Sequence, residues 1–209
     1  PDGEGIHPIT NEPYSDKYKE LAKKWSNLPA YNKSQQIIDA IRDNQIILIS
    51  SGTGSGKTLL TPKYALEVLG NTAKIAITLP KQILTVSNAS YQADISDLKL
   101  GKHVGYVYKG SDKKYSNSEN ILLYATDGTI VAKALRDPEL KEFNCVIIDE
   151  AHERKVQIDF LLYLLKQTCN LREDFKLIIM SATVNHEIFQ EYFEGHKFKY
   201  LHVGSETNY

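Results

Sequence analysis

The run Ser51-Gly52-Thr53-Gly54-Ser55-Gly56-Lys57-Thr58 has the residue types and spacing to grip a phosphate chain. Glycines let backbone N–H groups turn inward on phosphate oxygens, and a helix opening behind them adds the partial positive charge of its N-terminus. In such a loop Lys57 reaches the β- and γ-phosphates and the Thr58 hydroxyl ligates Mg²⁺. Gly52, Thr53, Gly54, Ser55, Gly56, Lys57 and Thr58 are therefore the candidate binding residues for ATP, or another NTP, with Mg²⁺. The first glycine of the general pattern is replaced by Ser51, small enough to be tolerated while tightening the loop.

A second source of chemistry follows the apolar run CVIID, where Asp149-Glu150-Ala151-His152 places two carboxylates just past a strand-length segment. Asp149 is placed to hold Mg²⁺ through water, and Glu150 to orient and deprotonate the water that attacks the γ-phosphate. The expected metal site is then Thr58, Asp149 and Glu150. An isolated Asp-Glu pair would read as a helix N-terminal charge. This one follows a phosphate loop, in the order NTP hydrolysis needs. Farther on, KLIIM ends in Ser181-Ala182-Thr183, whose two hydroxyls could bond to the acidic motif and report the state of the nucleotide.

These residues need a scaffold that brings them to one edge. The runs QIILIS, KIAITL, HVGYVY, ILLYA, CVIID and KLIIMSA are strand-length and nearly all apolar, separated by helix-length segments such as SQQIIDAIRD and KTLLTPKYALEVLG. Strands buried on both faces are usually parallel and covered by helices on each side, so the expected fold is α/β, a doubly wound, mostly parallel sheet. In such sheets ligands bind at the carboxyl ends of the strands. Residues 1–30 read as an extension packed on the core, with one helix near Ser15–Ser26 and aromatic anchors Tyr14, Tyr18 and Trp25; residues 31–209 form the main domain. The polar segment Tyr108–Asn120 reads as a hairpin tip or loop, its lysines 109, 113 and 114 a solvated face.

Composition narrows the setting. With 42% hydrophobic and 24% charged residues and a net charge of −1, the chain has one sizeable core and no basic excess, so a nucleic-acid surface must be a local patch. Cys145 and Cys169 lie in apolar runs without metal-site spacing, as buried thiols of a reducing compartment do. No apolar run is long enough to span a membrane, and an intracellular protein is expected, cytoplasmic or nuclear. The chain opens on Pro1 and ends at Tyr209, as expected of a piece of a longer protein; the richness in Ile, Lys, Asn and Tyr points to an AT-rich genome, as of a virus or a parasite.

GTGSGKT, TLPKQ, TDGTI, DEAHER and SAT, taken in order, resemble the first RecA-like motor domain of DEAH-box RNA helicases, from about Leu28 to at least Thr183. VGYVYKG and LPAYNKSQQIIDAI look like the family as well. The resemblance implies RNA-stimulated NTP hydrolysis and movement along a single strand. It adds His152 to Lys57, Asp149 and Glu150 as the catalytic set, and gives Ser181 and Thr183 a coupling role. It also implies RNA-backbone contacts from Thr78–Gln82 and Thr126–Ile130, so that Thr78, Lys81, Thr126, Asp127 and Gly128 are the candidate nucleic-acid residues. Pro80 suits the first turn of a helix and Thr126 or Asp127 a cap, so both junctions are expected to present helix N-termini to phosphates.

Three positions depart from the family: Ser51-Gly52 replaces Gly-Glu, Lys81-Gln82 replaces a basic pair, and Ser34 stands where arginine is common near the base. Gln36 is then the one polar residue upstream of the loop nominated to read a base. The second RecA-like domain, with its arginine fingers, is absent from this chain. Single-stranded RNA and that second domain are the expected partners. DNA as the track, or a non-catalytic NTP-gated binding module, are the alternatives; intact Lys57, Thr58, Asp149 and Glu150 speak against the latter.

Overall fold

A computed structural model describes residues 3–153, 156–183 and 185–204, apart from the side chains of Ile83 and Lys113. Arg154 of the DEAHER run lies outside the described residues. Among the described residues seven strands form one sheet in the order β3-β4-β2-β5-β6-β1-β7: β1 Ile46–Ser50, β2 Ile75–Leu79, β3 Val104–Val107, β4 Leu122–Thr126, β5 Cys145–Ile148, β6 Lys176–Ser181 and β7 Phe198–His202. Every pairing is parallel. The six strand-length apolar runs are β1 to β6. The seventh, FKYLH, has no fully buried residue and is half-exposed because it lies at the sheet edge, so it lacks the apolar signature of its neighbours.

Alternation along the strands feeds two cores. Ile47 and Ile49 of β1, with Ile75 and Ile77 of β2, pack under α3 (Ser34–Asp43), α4 (Lys57–Leu69) and α5 (Gln82–Ile95). Ile46 and Leu48, with Val146 and Ile148 of β5, pack under α6 (Asp127–Arg136) and α7 (Val156–Leu171). Both cysteines are buried, and burial pushes each thiol up to about 12. Among the described residues no helix is long and apolar enough to cross a membrane.

The N-terminal segment packs on the first of these cores. α1 (Asp16–Trp25) begins where the Ser15 hydroxyl accepts the Tyr18 amide at 3.2 Å, and Tyr14, Tyr18 and Trp25 form an aromatic chain along it. A four-residue turn, α2 (Pro29–Asn32), joins it to α3.

The segment from Tyr108 to Asn120 is not a hairpin tip, because β3 and β4 run parallel and a two-strand turn cannot join them. It is a crossover loop pinned from beneath. Asn120 accepts the Asn117 amide at 3.0 Å and donates to the Lys102 carbonyl at 2.7 Å. Gly105 of β3 sits under this loop, where a Cβ would overlap the Tyr115 carbonyl oxygen and the Asn120 side chain. Gly105→Ala is expected to overpack by about 1 to 3 kcal/mol and lower the melting temperature by roughly 3 to 10 °C for a chain of this size. A melting curve equal to wild type would show that the loop yields freely.

Candidate active site

All the chemistry-bearing runs leave the same edge of the sheet, because every strand is parallel and each run follows its strand's carboxyl end. β1 delivers Ser50 into the loop 51–56; β5, two positions away, delivers Asp149; β6 between them delivers Ser181. The Ser51 amide donates to the Ser181 carbonyl at 3.1 Å, tying the phosphate loop to the SAT run through the backbone.

The loop is shaped by local rules. Gly54 and Gly56 have φ of 77° and 85°, the left-handed region that disfavours side chains. Ser51 does tighten it: its hydroxyl and that of Ser55 lie 2.6 Å apart, a bond glycine could not make. Lys57 opens α4 and is 6% exposed, its ammonium donating a long 3.4 Å bond to the Ser51 carbonyl.

Asp149 is 1% exposed. Its carboxylate accepts the Glu150 amide at 2.9 Å and bonds the Thr58 hydroxyl, while its own amide donates to the Thr78 carbonyl at 3.2 Å. Burial, and next the Glu150 carboxylate, push the Asp149 carboxyl up to about 6 from 3.8, against the pull of Thr58 and Lys57. The folded protein thus keeps a proton that the unfolded chain has released, and ionising Asp149 opposes folding. That penalty is fully present above about pH 6, shrinks as pH falls toward 3.8 and is gone below it. Two pKa units are worth roughly 3 kcal/mol. Asp149→Asn is therefore expected to melt several degrees above wild type at about pH 7.5, with a smaller gain at about pH 5. The same gain at both would remove the carboxyl's ionisation as its cause.

Glu150 has a left-handed backbone, φ 58°, which for a non-glycine residue is strained by about 1 kcal/mol or more. Its carboxylate lies 3.1 Å from His152 Nε2. The other ring nitrogen, Nδ1, accepts the Ala182 amide at 3.1 Å, so in the neutral ring the proton sits on Nε2 and points at Glu150. The link between the acidic run and the SAT run is therefore a ring and a backbone amide. The expected hydroxyl bonds are not what the described contacts contain: Ser181 is buried and turns back to donate to the Thr183 carbonyl at 2.8 Å, and Thr183 is exposed. An amide carries no side-chain signature, so residue types could not reveal this.

The strand-binding candidates split by depth. β2 and β4 pair with Leu79 opposite Thr126, which puts the two junctions side by side on the carboxyl edge. Lys81 is exposed at the N-cap of α5; Thr126 is half-buried at the N-cap of α6, where its hydroxyl meets that of Thr129 at 2.9 Å and caps no backbone amide. Pro80 precedes that N-cap and so lies outside the first turn. Thr78, on β2, is wholly buried and its hydroxyl has no hydrogen-bond partner among the described residues; Asp127 is buried as well. Side chains so placed do not meet a strand on the surface. Gly128 is half-buried, and a Cβ there would come within 3.2 Å of Gln157. Gln36 is exposed on α3.

A cavity of about 380 Å³ lies elsewhere, between the N-terminal segment and α4, lined by Tyr14, Tyr18, Lys63 and Tyr64. Beside the acidic run, a hollow of about 70 Å³ is lined by His152, Ser181 and Thr183.

Comparison with known proteins agrees with this geometry. The family model described as DEAD/DEAH box helicase matches residues 31–191. A protein of Acanthamoeba polyphaga mimivirus, provisionally named an ATP-dependent RNA helicase, is 45% identical over 212 residues, covering 100% of this chain and 30% of that relative.

Proposed function

The chain belongs to the DEAD/DEAH box helicase family, and from that premise we infer that it is the ATP-binding part of an ATP-dependent RNA helicase of DEAH type. Residues 31–209 would be its first RecA-like domain. The observation that carries the reading is the meeting of Lys57, Thr58, Asp149 and Glu150 at one sheet edge, with His152 tying Glu150 to Ala182. The fourth residue of the acidic run is the one that makes the tie. The DEAH reading rests on that histidine.

The residues suit a nucleoside triphosphate with a divalent cation. Lys57 and Asp149 are both withdrawn from water, and each is only partly compensated, Lys57 by a 3.4 Å bond and Asp149 by a raised affinity for protons. A triphosphate and a cation supply the missing opposite charges. Among the described residues no cluster of three His, Cys, Asp or Glu could by itself hold a metal. A Mg²⁺ would be held by Thr58, by the Asp149–Glu150 pair and by substrate phosphates. When bound, Mg²⁺ offsets negative charge on the phosphate oxygens.

The chain's own groups then have separate tasks. Lys57 leaves the Ser51 carbonyl for the phosphates. Glu150, oriented by the His152 N–H on one oxygen, takes the proton of the attacking water. Any displacement of Glu150 passes through the ring to the Ala182 amide, and so to the SAT run joined to the phosphate loop at Ser51. The nucleic-acid strand would lie across the ends of β2 and β4, on Lys81, Thr126 and the helix N-termini, while Thr78 and Asp127 support that surface from within.

The chain spans 30% of the length of the curated relative it matches, so unwinding, translocation and a second RecA-like domain belong to the whole protein and are part of this proposal. The decisive measurement is ATPase stimulation of the full-length protein by RNA and by DNA of one sequence. RNA is expected to stimulate more; equal stimulation would leave a helicase without RNA preference. In the same protein Lys81→Ala is expected to weaken RNA binding alike for all sequences and to flatten the log–log salt slope by roughly 0.7 to 1, one lost phosphate contact. Unchanged affinity and slope would move the strand elsewhere, with the surface around Lys109 and Lys114 next to test.

A further inference from the structure

The phosphate loop is held from outside by the N-terminal segment. The left-handed backbone at Gly56 leaves its Cα bare toward Leu28: a Cβ built there would fall 2.7 Å from Leu28 Cδ1 and 3.0 Å from Leu28 Cβ. Two residues on, the Ala30 amide donates to the Ser55 carbonyl at 2.9 Å. Leu28 itself has little freedom. It is the N-cap of α2, its amide donating to the Trp25 carbonyl at 3.0 Å and its carbonyl accepting the Tyr31 amide at 2.9 Å. The segment is fastened to α4 a turn further on, where Lys63 donates to the Tyr18 hydroxyl at 2.9 Å and lies 4.3 Å above the Trp25 ring, and where Tyr64 donates to the Ala30 carbonyl at 3.2 Å.

We propose that Leu28 is a positioning residue for nucleotide binding: its side chain fills the space left by Gly56 and, with the Ala30 amide on Ser55, keeps the loop shaped for phosphate. A loop of small residues has many conformations, and few of them aim several amides at one point. Pinning the Ser55 carbonyl outward turns the Gly56 amide of the same peptide inward, toward a ligand, while the Lys57 amide makes a long 3.4 Å bond to the Ser55 hydroxyl. The glycine at 56 thus answers two demands, its own φ and the room Leu28 occupies. Leu28 reaches no reacting atom; it acts through the loop. This inference rests on the nucleotide-binding reading of residues 51–58.

The test uses the full-length protein and steady-state ATPase kinetics with Mg·ATP. Leu28→Ala is expected to raise KM, and the inhibition constant of ADP, about tenfold, the worth of a half-buried leucine's packing. The rate at saturating ATP should stay within about twofold, since loosening alone is overcome by ligand. Leu28→Met, which refills the space, should restore KM. A merely structural role would lower the amount of active protein, and so the saturated rate, and leave KM alone; that result overturns the proposal. If Leu28→Ala does not fold, Leu28→Val decides, with an unchanged KM counting against. Lys57→Ala run in parallel separates the two failures. Should Lys57→Ala bind normally, the nucleotide reading itself is wrong; should it lose binding while the Leu28 variants do not, only the role of Leu28 is.

Discussion

Glu150→Gln in the full-length protein is expected to bind ATP as wild type does and to turn it over at least about 100-fold more slowly, the lower end of what a general base contributes. The amide keeps the size of the side chain and offers His152 Nε2–H an oxygen at the same place, so the tie to Ala182 and the left-handed backbone at 150 survive. What is lost is a group that can take a proton from water. Thr58, Asp149 and Lys57 are untouched and the amide oxygen at 150 still offers the cation a neutral ligand, so binding measured with a fluorescent nucleotide should not change. Turnover within a few-fold of wild type would remove Glu150 from the mechanism, whatever its position.

Lys57→Ala acts on the other half of the site and should show the opposite pattern. Lys57 is 6% exposed and, among the described residues, its ammonium makes one long hydrogen bond, so most of its interaction is held for the ligand. A charge-assisted contact made away from water is worth about 3 kcal/mol or more, so nucleotide affinity should fall by over 100-fold. The free protein should melt close to wild type, because its fold gains little from a half-satisfied buried charge. Saturating Mg·ATP raises the melting temperature of wild type by mass action and should leave Lys57→Ala unmoved. An ATP-dependent rise in the variant equal to that of wild type would show that Lys57 does not hold the phosphates.

Much of this was legible in residue types. Phosphate loops advertise themselves, because left-handed backbone demands Gly54 and Gly56 and a buried cation at a helix start demands Lys57. Six buried strands advertised themselves too, through Ile, Val and Leu in short runs. Parallel order followed from their burial on both faces. Legibility failed where the deciding group was backbone or lay far off in the chain. Edge strand β7 is half-wet and reads as nothing in particular. Thr78 and Asp127 sit in motifs, yet a motif does not say which way a side chain points, and both point inward.

Composition, spacing and strand patterning by themselves determined the chemistry: a triphosphate grip, a carboxylate pair and an α/β sheet to bring them to one edge. These follow from short-range requirements, in which a few adjacent residues meet a geometric or electrostatic need on their own. Only the tertiary structure decided how the parts are joined. It chose the Ala182 amide and the His152 ring, not the SAT hydroxyls, as the link to Glu150. It also set Leu28, nearly thirty residues upstream, against Gly56. Such contacts are made by whichever backbone groups and side chains the packing of distant segments brings together, and backbone groups are the same at almost every residue.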